Sequence, residues 1–351
     1  MAWFLLKRLG NGLLVLLGVV SLVFLLFNVL PGDAAQMTLG QRSDIRSLEA
    51  VTKELGLDKP LHQQFLLYLN DLSPVSRHDN SPENSAKYGY RPFFKQADKV
   101  WVVKVPYLRS SYQSKQTVNQ IISQALPGTA ILALAAMVFA TILGLALGAI
   151  AALNAHSWID RTVVSLSVLG ISAPSYFASI LIAYLFGFVW HDITGLNMTG
   201  SLFEADAFAG RRLALENLLL PAFTLGIRPL AIIVQLSRNT MLDVMGQDYV
   251  RTARAKGLTE WQVMRRHVLR NALGPVVTAI SGWFASLLAG AVFVEYIFGW
   301  QGLGKVTVDA LMKFDLPVVM GAVLFVALAF IVINLLVDFI YAWLDPRIRL
   351  Q

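Results

Sequence analysis

The stretch from Leu126 to Leu153 contains no charged side chain, and this restricts the fold more than any other feature. About 20 consecutive apolar residues are enough for a helix to cross the hydrocarbon of a bilayer. Five further runs are long and predominantly apolar, three of them with a single charge: residues 9–30, Thr162–Trp190, Leu218–Ser237, Ala272–Phe298 and Pro317–Trp343. Only 15% of the chain is charged, against roughly 25% in soluble domains. These features predict an all-α polytopic membrane protein with six transmembrane helices. Residues 9–30 exceed the usual signal-peptide core of about 7–15 residues, so they read as an uncleaved span. The absence of cysteine excludes disulfides, thiolate zinc sites and iron–sulfur clusters within the chain. No close-spaced histidine pair suggests a metal site among His62, His78, His156, His191 and His267.

The charges orient the spans. Lys7 and Arg8 precede the first run and predict a cytoplasmic N-terminus. The loops at 154–161, 238–271 and 344–351 then fall inside. They carry Arg161, then Arg238, Arg251, Arg254, Lys256, Arg265, Arg266 and Arg270, then Arg347 and Arg349. The external loop at 191–217 sets Asp192, Glu204, Asp206 and Glu216 against Arg211 and Arg212. The polar segment 31–117 is long enough to be translocated whatever its charge. In it, Leu61, Phe65, Leu66 and Leu69 have helical spacing, the WVVKV run before Pro106 suggests a strand, and Ser73 to Lys99 reads as irregular.

Gly246 to Pro275 is the most basic short loop and reads as two helices joined at a glycine. Asp248 is placed to cap the first, which carries Tyr249, Val250 and Ala253. Lys256 falls in its last turn, and Gly257 suits the left-handed position that often follows a helix. Thr259 and Gln262 have capping-box spacing for the second. Glu260 opens that helix and Arg265, Arg266 and Arg270 close it, as its dipole favours. Gly274-Pro275 is expected to break it. Such a double helix at a membrane face suits the docking of another protein, the alternative being an ordinary positive-inside loop.

This stretch resembles the EAA loop of type I ABC importer permeases. The family pattern falls on Arg251-Thr252-Ala253, Gly257, His267, Leu269 and Arg270, with Ala253, Gly257 and Leu269 matching. YVRTARAKGL and RHVLRNALGP are closer to the peptide and nickel permease subfamily. So are PGD at Pro31–Asp33, ELGLDKP at Glu54–Pro60, GLG at Gly302–Gly304 and LDPRIR at Leu344–Arg349. These landmarks keep the family order over nearly the whole chain and are most similar to the first permease subunit of dipeptide and oligopeptide importers. The resemblance implies a type I permease fold in the inner membrane, with both termini cytoplasmic. It implies an N-terminal helix at 1–30, an extracytoplasmic segment at 31–117, a permease domain at 118–345 that includes the loop 246–275, and a cytoplasmic tail at 346–351. It further implies a second homologous permease subunit, two cytoplasmic ATPase subunits that bind ATP and magnesium, and an extracytoplasmic substrate-binding protein. The chain itself would hold no cofactor and perform no covalent chemistry. Tyr249, Arg251, Ala253, Arg254, Lys256, Gly257, Leu258 and Leu269 would couple it to the ATPases. Nickel chelates or another small solute are the alternative cargo.

Several residues inside the spans bear on a pathway. Gly144 and Gly148 have the small-xxx-small spacing that lets helices approach closely. Pro174 is expected to kink the third span, turning Ser172, Ser175 and Tyr176 to an interior that is either a pathway wall or an interhelical hydrogen-bonding face. Arg228 falls near mid-depth, where insertion scales put an arginine at about 2.5–3.5 kcal/mol. It either meets a substrate carboxylate or makes a structural pair, with the carbonyl freed by Pro229 as an expected partner. Glu295 and Asp338 are expected near helix ends, within reach of an interface.

Gly299 to Val306, GWQGLGKV, imitates the start of a phosphate-binding loop. Val306 stands where that motif needs Ser or Thr for magnesium, and no buried strand precedes it. The energy source is therefore expected in another subunit. A stand-alone ion-coupled carrier would need buried acidic or histidine relays, and the mid-depth charge here is an arginine. No Ser-Lys, paired Asp or H-E-x-x-H arrangement marks an intramembrane hydrolase. Both ends of 248–271 run into spans, which excludes a DNA-reading helix-turn-helix and any nucleic-acid partner.

Overall fold

The structure is a computed structural model, described over residues 2–29, 58–96, 99–206 and 210–344. The landmark at Pro31–Asp33, residues 54–57, the tail from 345 with Arg347 and Arg349, and the side chain of Asp338 lie outside the described residues. The chain divides into two compact units, Met1–Ala125 with Val306–Leu328, and Leu126–Lys305 with Ala329–Gln351.

In the first unit, helix α1 (Ala2–Val29) meets α2 (Leu61–Leu72). Phe24 lies 5.1 Å from the Phe65 ring and 5.8 Å from Tyr68, between ring centroids. Val20, Val23, Met320 and Leu324 complete this apolar cluster, while Leu66 faces outward. Residues 73–99 are not irregular. Strand β1 (Val75–Asp79), helix α3 (Pro82–Tyr88), β2 (Arg91–Gln96) and β3 (Lys99–Val103) form an antiparallel sheet in the order β1-β3-β2. The strand in β1 is hidden from hydropathy because its buried positions are polar. Ser76 and His78 face inward, hydrogen bonded at 2.9 Å, and Val75 faces out. Ser81 caps α3 and Gly89, at φ 56°, ends it. Asp315 is buried and accepts hydrogen bonds from the Ser111 hydroxyl at 2.5 Å and the Tyr112 N–H at 3.0 Å.

From Val118 onward the chain, which passes through both units, is helical apart from a hairpin. Its elements begin with α4 (Val118–Leu153), α5 (Trp158–Ser172) and α6 (Ser175–Tyr184). A π-helical turn (Leu185–Val189), α7 (His191–Thr194), β4 (Phe203–Asp206) and β5 (Gly210–Leu213) lead to α8 (Glu216–Met245). Then come α9 (Asp248–Ala255), α10 (Glu260–Val263), a π-helical turn (Met264–Val268), α11 (Leu269–Gly290), α12 (Val292–Ile297) and α13 (Leu303–Met312). The chain ends its described part in α14 (Leu316–Leu344). Leu132, Ala136, Ile233, Val276, Phe298 and Trp300 belong to one buried core. Gly144 and Gly148 let α4 approach α8, since a Cβ at Gly144 would crowd Ile233 and one at Gly148 would collide with Ser237.

Among the described residues, four helices are long and apolar enough to cross a membrane: Lys7–Leu26, Val118–Leu153, Glu216–Met245 and Leu316–Val337. The third expected span is not one kinked helix. It breaks into α5 and α6 with a bend of 108°, and counts as a fifth crossing if the pair is one span. Pro174 disfavours helical geometry at the residue before it, and Ala173 is extended at φ −75°, ψ 131°. The run expected at 272–298 is likewise divided, at Ala291, into α11 and α12. Gly274-Pro275, read as a breaker, lies inside α11 without ending it. Proline within a membrane helix is tolerated where neighbouring groups take over the freed backbone.

Candidate functional site

Helices α9 and α10 form a folded elbow at one end of α8. The cap of α9 is Gln247, one residue earlier than expected, and makes no side-chain bond; Asp248 is instead the first helical residue. Gly257 has φ +80°. Its N–H donates to Arg254 O at 2.9 Å, and the Leu258 N–H donates to Ala253 O at 3.4 Å, the double closure of a Schellman motif. Thr259 then starts α10 through a complete capping box. Its hydroxyl accepts from Gln262 N–H at 3.4 Å, and the Gln262 side chain accepts from Thr259 N–H at 3.0 Å. Across the elbow, the Arg254 guanidinium donates to both Glu260 oxygens at 2.8 and 3.1 Å.

One side of this elbow is fixed to the helical body. Val250, Ala253, Val263, Met264 and Val268 are buried with Ala152 of α4 and Met241 of α8, and Leu258 and Leu269 pack against them. Ala253, Leu258 and Leu269 therefore shape the elbow from beneath. The opposite side presents Tyr249, Arg251, Lys256 and Gly257. Trp261 is 68% exposed at the start of α10, a residue that helical periodicity alone did not single out. An indole left in the open beside basic side chains is the anchor type favoured in protein interfaces. The Tyr249 hydroxyl accepts from Asn271 at 3.1 Å, which holds the ring at the rim.

A second contact tightens the same end. Arg238 is not a loop cation but part of α8, and its guanidinium grips Asp160 at 2.5 and 2.6 Å. Asp160 is only 3% exposed and also accepts from the His156 N–H at 2.9 Å. The legible signal was Ser157, three residues before Asp160, which caps α5.

Between the broken helix and α8 lies a pocket with about 510 Å³ of empty space, part of it open to solvent. Gly170, Ser175, Thr224, Arg228, Trp283 and Ser286 are among its lining residues. Ser172, Pro174 and Tyr176 are not. The Ser172 hydroxyl donates back to Val168 O at 2.9 Å, Pro174 caps α6, and the exposed Tyr176 ring faces Phe293 at 6.3 Å. Arg228 does not serve the carbonyl freed by Pro229. It reaches the Ala173 carbonyl at 3.4 Å, exposed by the helix break.

Glu295 lies near the end of α12, as expected, but does not reach solvent. It is fully buried, and its Oε2 accepts from the Gly304 N–H at 2.6 Å and the Lys305 N–H at 3.3 Å. The apparent phosphate loop is thus filled by a carboxylate from the same chain. A Cβ at Gly302 would run into that carboxyl group, and one at Gly304 into Val292 Cα.

Residues 144–350 match the model of the binding-protein-dependent transport system inner membrane component, and residues 1–133 match the N-terminal model of such components. The chain belongs to this family. It is similar to the dipeptide transport system permease protein of Escherichia coli, at 36% identity over 367 residues, covering 99% of both chains. A di/tripeptide transport system permease protein of Pseudomonas aeruginosa is 35% identical over 365 residues, again with 99% of each covered. The glutathione transport system permease protein of Salmonella choleraesuis is 34% identical over 346 residues, covering 99% of this chain and 98% of that one. Among solved structures, the inward-facing MetNI methionine ABC transporter aligns with a TM-score of 0.50 at 16% identity, covering 65% of this chain and 97% of its own. The fold is that of a type I ABC importer permease. The chain is a membrane permease component, as its six apolar runs and family landmarks implied.

Proposed function

We propose that the chain is one of two homologous permease subunits of an inner-membrane importer for di- or oligopeptides. Two cytoplasmic ATPase subunits would bind ATP and magnesium and do the hydrolysis, and an extracytoplasmic binding protein would deliver the cargo. The peptide cargo is supported by the full-length similarity to dipeptide and di/tripeptide permeases. The observation that carries the coupling role is the two-sided elbow. Val250, Ala253, Val263 and Met264 tie it to the body, while Tyr249, Arg251, Lys256 and Trp261 face away. An ATPase that seats this outer side can move α4 and α8 as one piece through the elbow's buried side, with Arg254, Gly257, Leu258 and Leu269 keeping its shape. In this reading the chain crosses six times with both termini cytoplasmic, which would put the elbow on the ATPase side. In this reading Ser175 and Arg228 line the pathway, while Ser172, Pro174 and Tyr176 set the break beside it.

The test is reconstitution of the permease pair with its ATPases and binding protein in proteoliposomes. ATP hydrolysis stimulated by peptide-loaded binding protein, together with peptide uptake, is the expected result. Peptide uptake by this chain alone, driven by an ion gradient, would replace the importer reading with a carrier.

A further inference from the structure

Arg228 is a cation in the middle of a membrane helix, with a pocket in front of it and no acidic partner among the described residues. Its one hydrogen bond among the described residues, to the Ala173 carbonyl, is 3.4 Å. Good N–H···O bonds run from about 2.7 to 3.2 Å, so the guanidinium is steered by this contact rather than satisfied by it. A carbonyl also leaves the charge uncompensated. Charged side chains at this depth face cavities and mark solute or ion paths. Around Arg228 the pocket supplies the hydroxyl-bearing side chains Ser175, Thr224 and Ser286 and the indole of Trp283, but no carboxylate. The face of α11 that carries Trp283 and Ser286 continues with Ala279 and Gly282 along a second hollow. Small side chains there leave room beside the indole.

We infer that Arg228 is the mid-membrane contact for a free carboxylate of the transported solute, a deepening that rests on the peptide-importer reading. The planar guanidinium matches a carboxylate bidentately, whereas lysine offers only a point charge. A peptide C-terminus is such a group, and a C-terminal amide is its neutral isostere. The remaining lining is too mixed to read a particular side chain, so the pocket recognises the backbone end common to all peptides.

The absence of cysteine permits a direct test. The assembled transporter carries Ser286→Cys, a reporter at an exposed lining position, and its reaction with a small neutral methanethiosulfonate is timed. Alanyl-alanine is added without binding protein, as free acid or as C-terminal amide. The free acid is expected to protect at a concentration about tenfold lower than the amide needs, the scale of a charge-assisted hydrogen bond. Arg228→Gln should abolish the protection and Arg228→Lys should keep part of it. Equal protection by acid and amide, protection that survives Arg228→Gln, or none by the free acid would each overturn the inference. If Arg228→Gln does not accumulate, the acid–amide comparison in the native-arginine protein and the Arg228→Lys variant still decide it. Uptake of the same dipeptide is measured in parallel. Uptake without protection leaves the importer reading intact and removes Arg228 from it, and absence of uptake removes the peptide reading itself.

Discussion

Glu295 and Gly304 meet where a nucleotide-binding loop would hold a phosphate, with the Glu295 Oε2 accepting the Gly304 N–H at 2.6 Å. A helix start with free N–H groups attracts any anion, and α13 draws a carboxylate from α12. Thr129 joins the same corner by accepting the Leu303 N–H at 2.8 Å. The carboxylate thereby joins the end of α12 to the start of α13. Glu295→Ala leaves the Gly304 and Lys305 N–H groups without this acceptor, at about 1–3 kcal/mol for each group left buried and unsatisfied. Glu295→Gln keeps an acceptor oxygen and should be milder. Gly302→Ala should resemble Glu295→Ala, because its Cβ would occupy the carboxyl position. The measurement is the thermal midpoint of the detergent-solubilised complex. An unchanged midpoint for Glu295→Ala would show that the contact stabilises nothing.

The same geometry fixes the expectation for Lys305. Val306 removes the magnesium ligand and Glu295 fills the anion site, so the residue has no nucleotide to meet. Lys305→Ala in the assembled complex should hydrolyse ATP with an unchanged apparent Michaelis constant. A large rise would mean that this loop contributes to nucleotide binding after all.

Much of this was readable from residues because local chemistry decided it. Gly257 and the Thr259–Gln262 pair specify the elbow through backbone geometry and short-range hydrogen bonds, and the structure has both as read. Gly144 and Gly148 announced a close helix contact, which α8 supplies. What escaped was set by distant partners or by polar burial. Ser76 and His78 disguise a strand because the buried side of the sheet is satisfied by hydrogen bonds rather than by apolar area. Arg238 looked like one more loop charge because Asp160 lies 78 residues away. Pro174 was legible as a disruption, but a bend of 108° depends on what the two halves pack against. Trp261 had no local reason to be exposed, and its setting appears only once the other side of the elbow is seen to be buried.

The proposed orientation can be read by single cysteines, since the native chain has none. Cysteines at Ser81, the cap of α3, and at Thr199 should react with an impermeant thiol reagent applied outside intact cells. One at Thr259 should react only after the membrane is opened. Labelling of the Thr259 site from outside would place the elbow away from the ATPases and overturn the coupling proposal with it.

Gly257 gives the sharpest test of the elbow. Its φ of +80° is a conformation that a side chain makes costly by about 1–2 kcal/mol, and a Cβ there would meet nothing within 4 Å. Substitution therefore acts through backbone strain and not through a clash within this chain. Gly257→Val, β-branched, should unwind the Schellman closure and misplace Lys256 and Trp261. Gly257→Asn should be tolerated far better, because asparagine enters the left-handed region at helix ends. Both variants should insert, since the membrane helices do not depend on this turn. In the reconstituted complex, Gly257→Val should lose most uptake and most stimulation of ATP hydrolysis by loaded binding protein, with the basal rate of the isolated ATPases untouched. Gly257→Asn should keep at least about half of each. If both variants fail alike, the bulk of any side chain against the partner matters rather than the turn. If both transport at the native rate, the elbow is only a positively charged cytoplasmic loop.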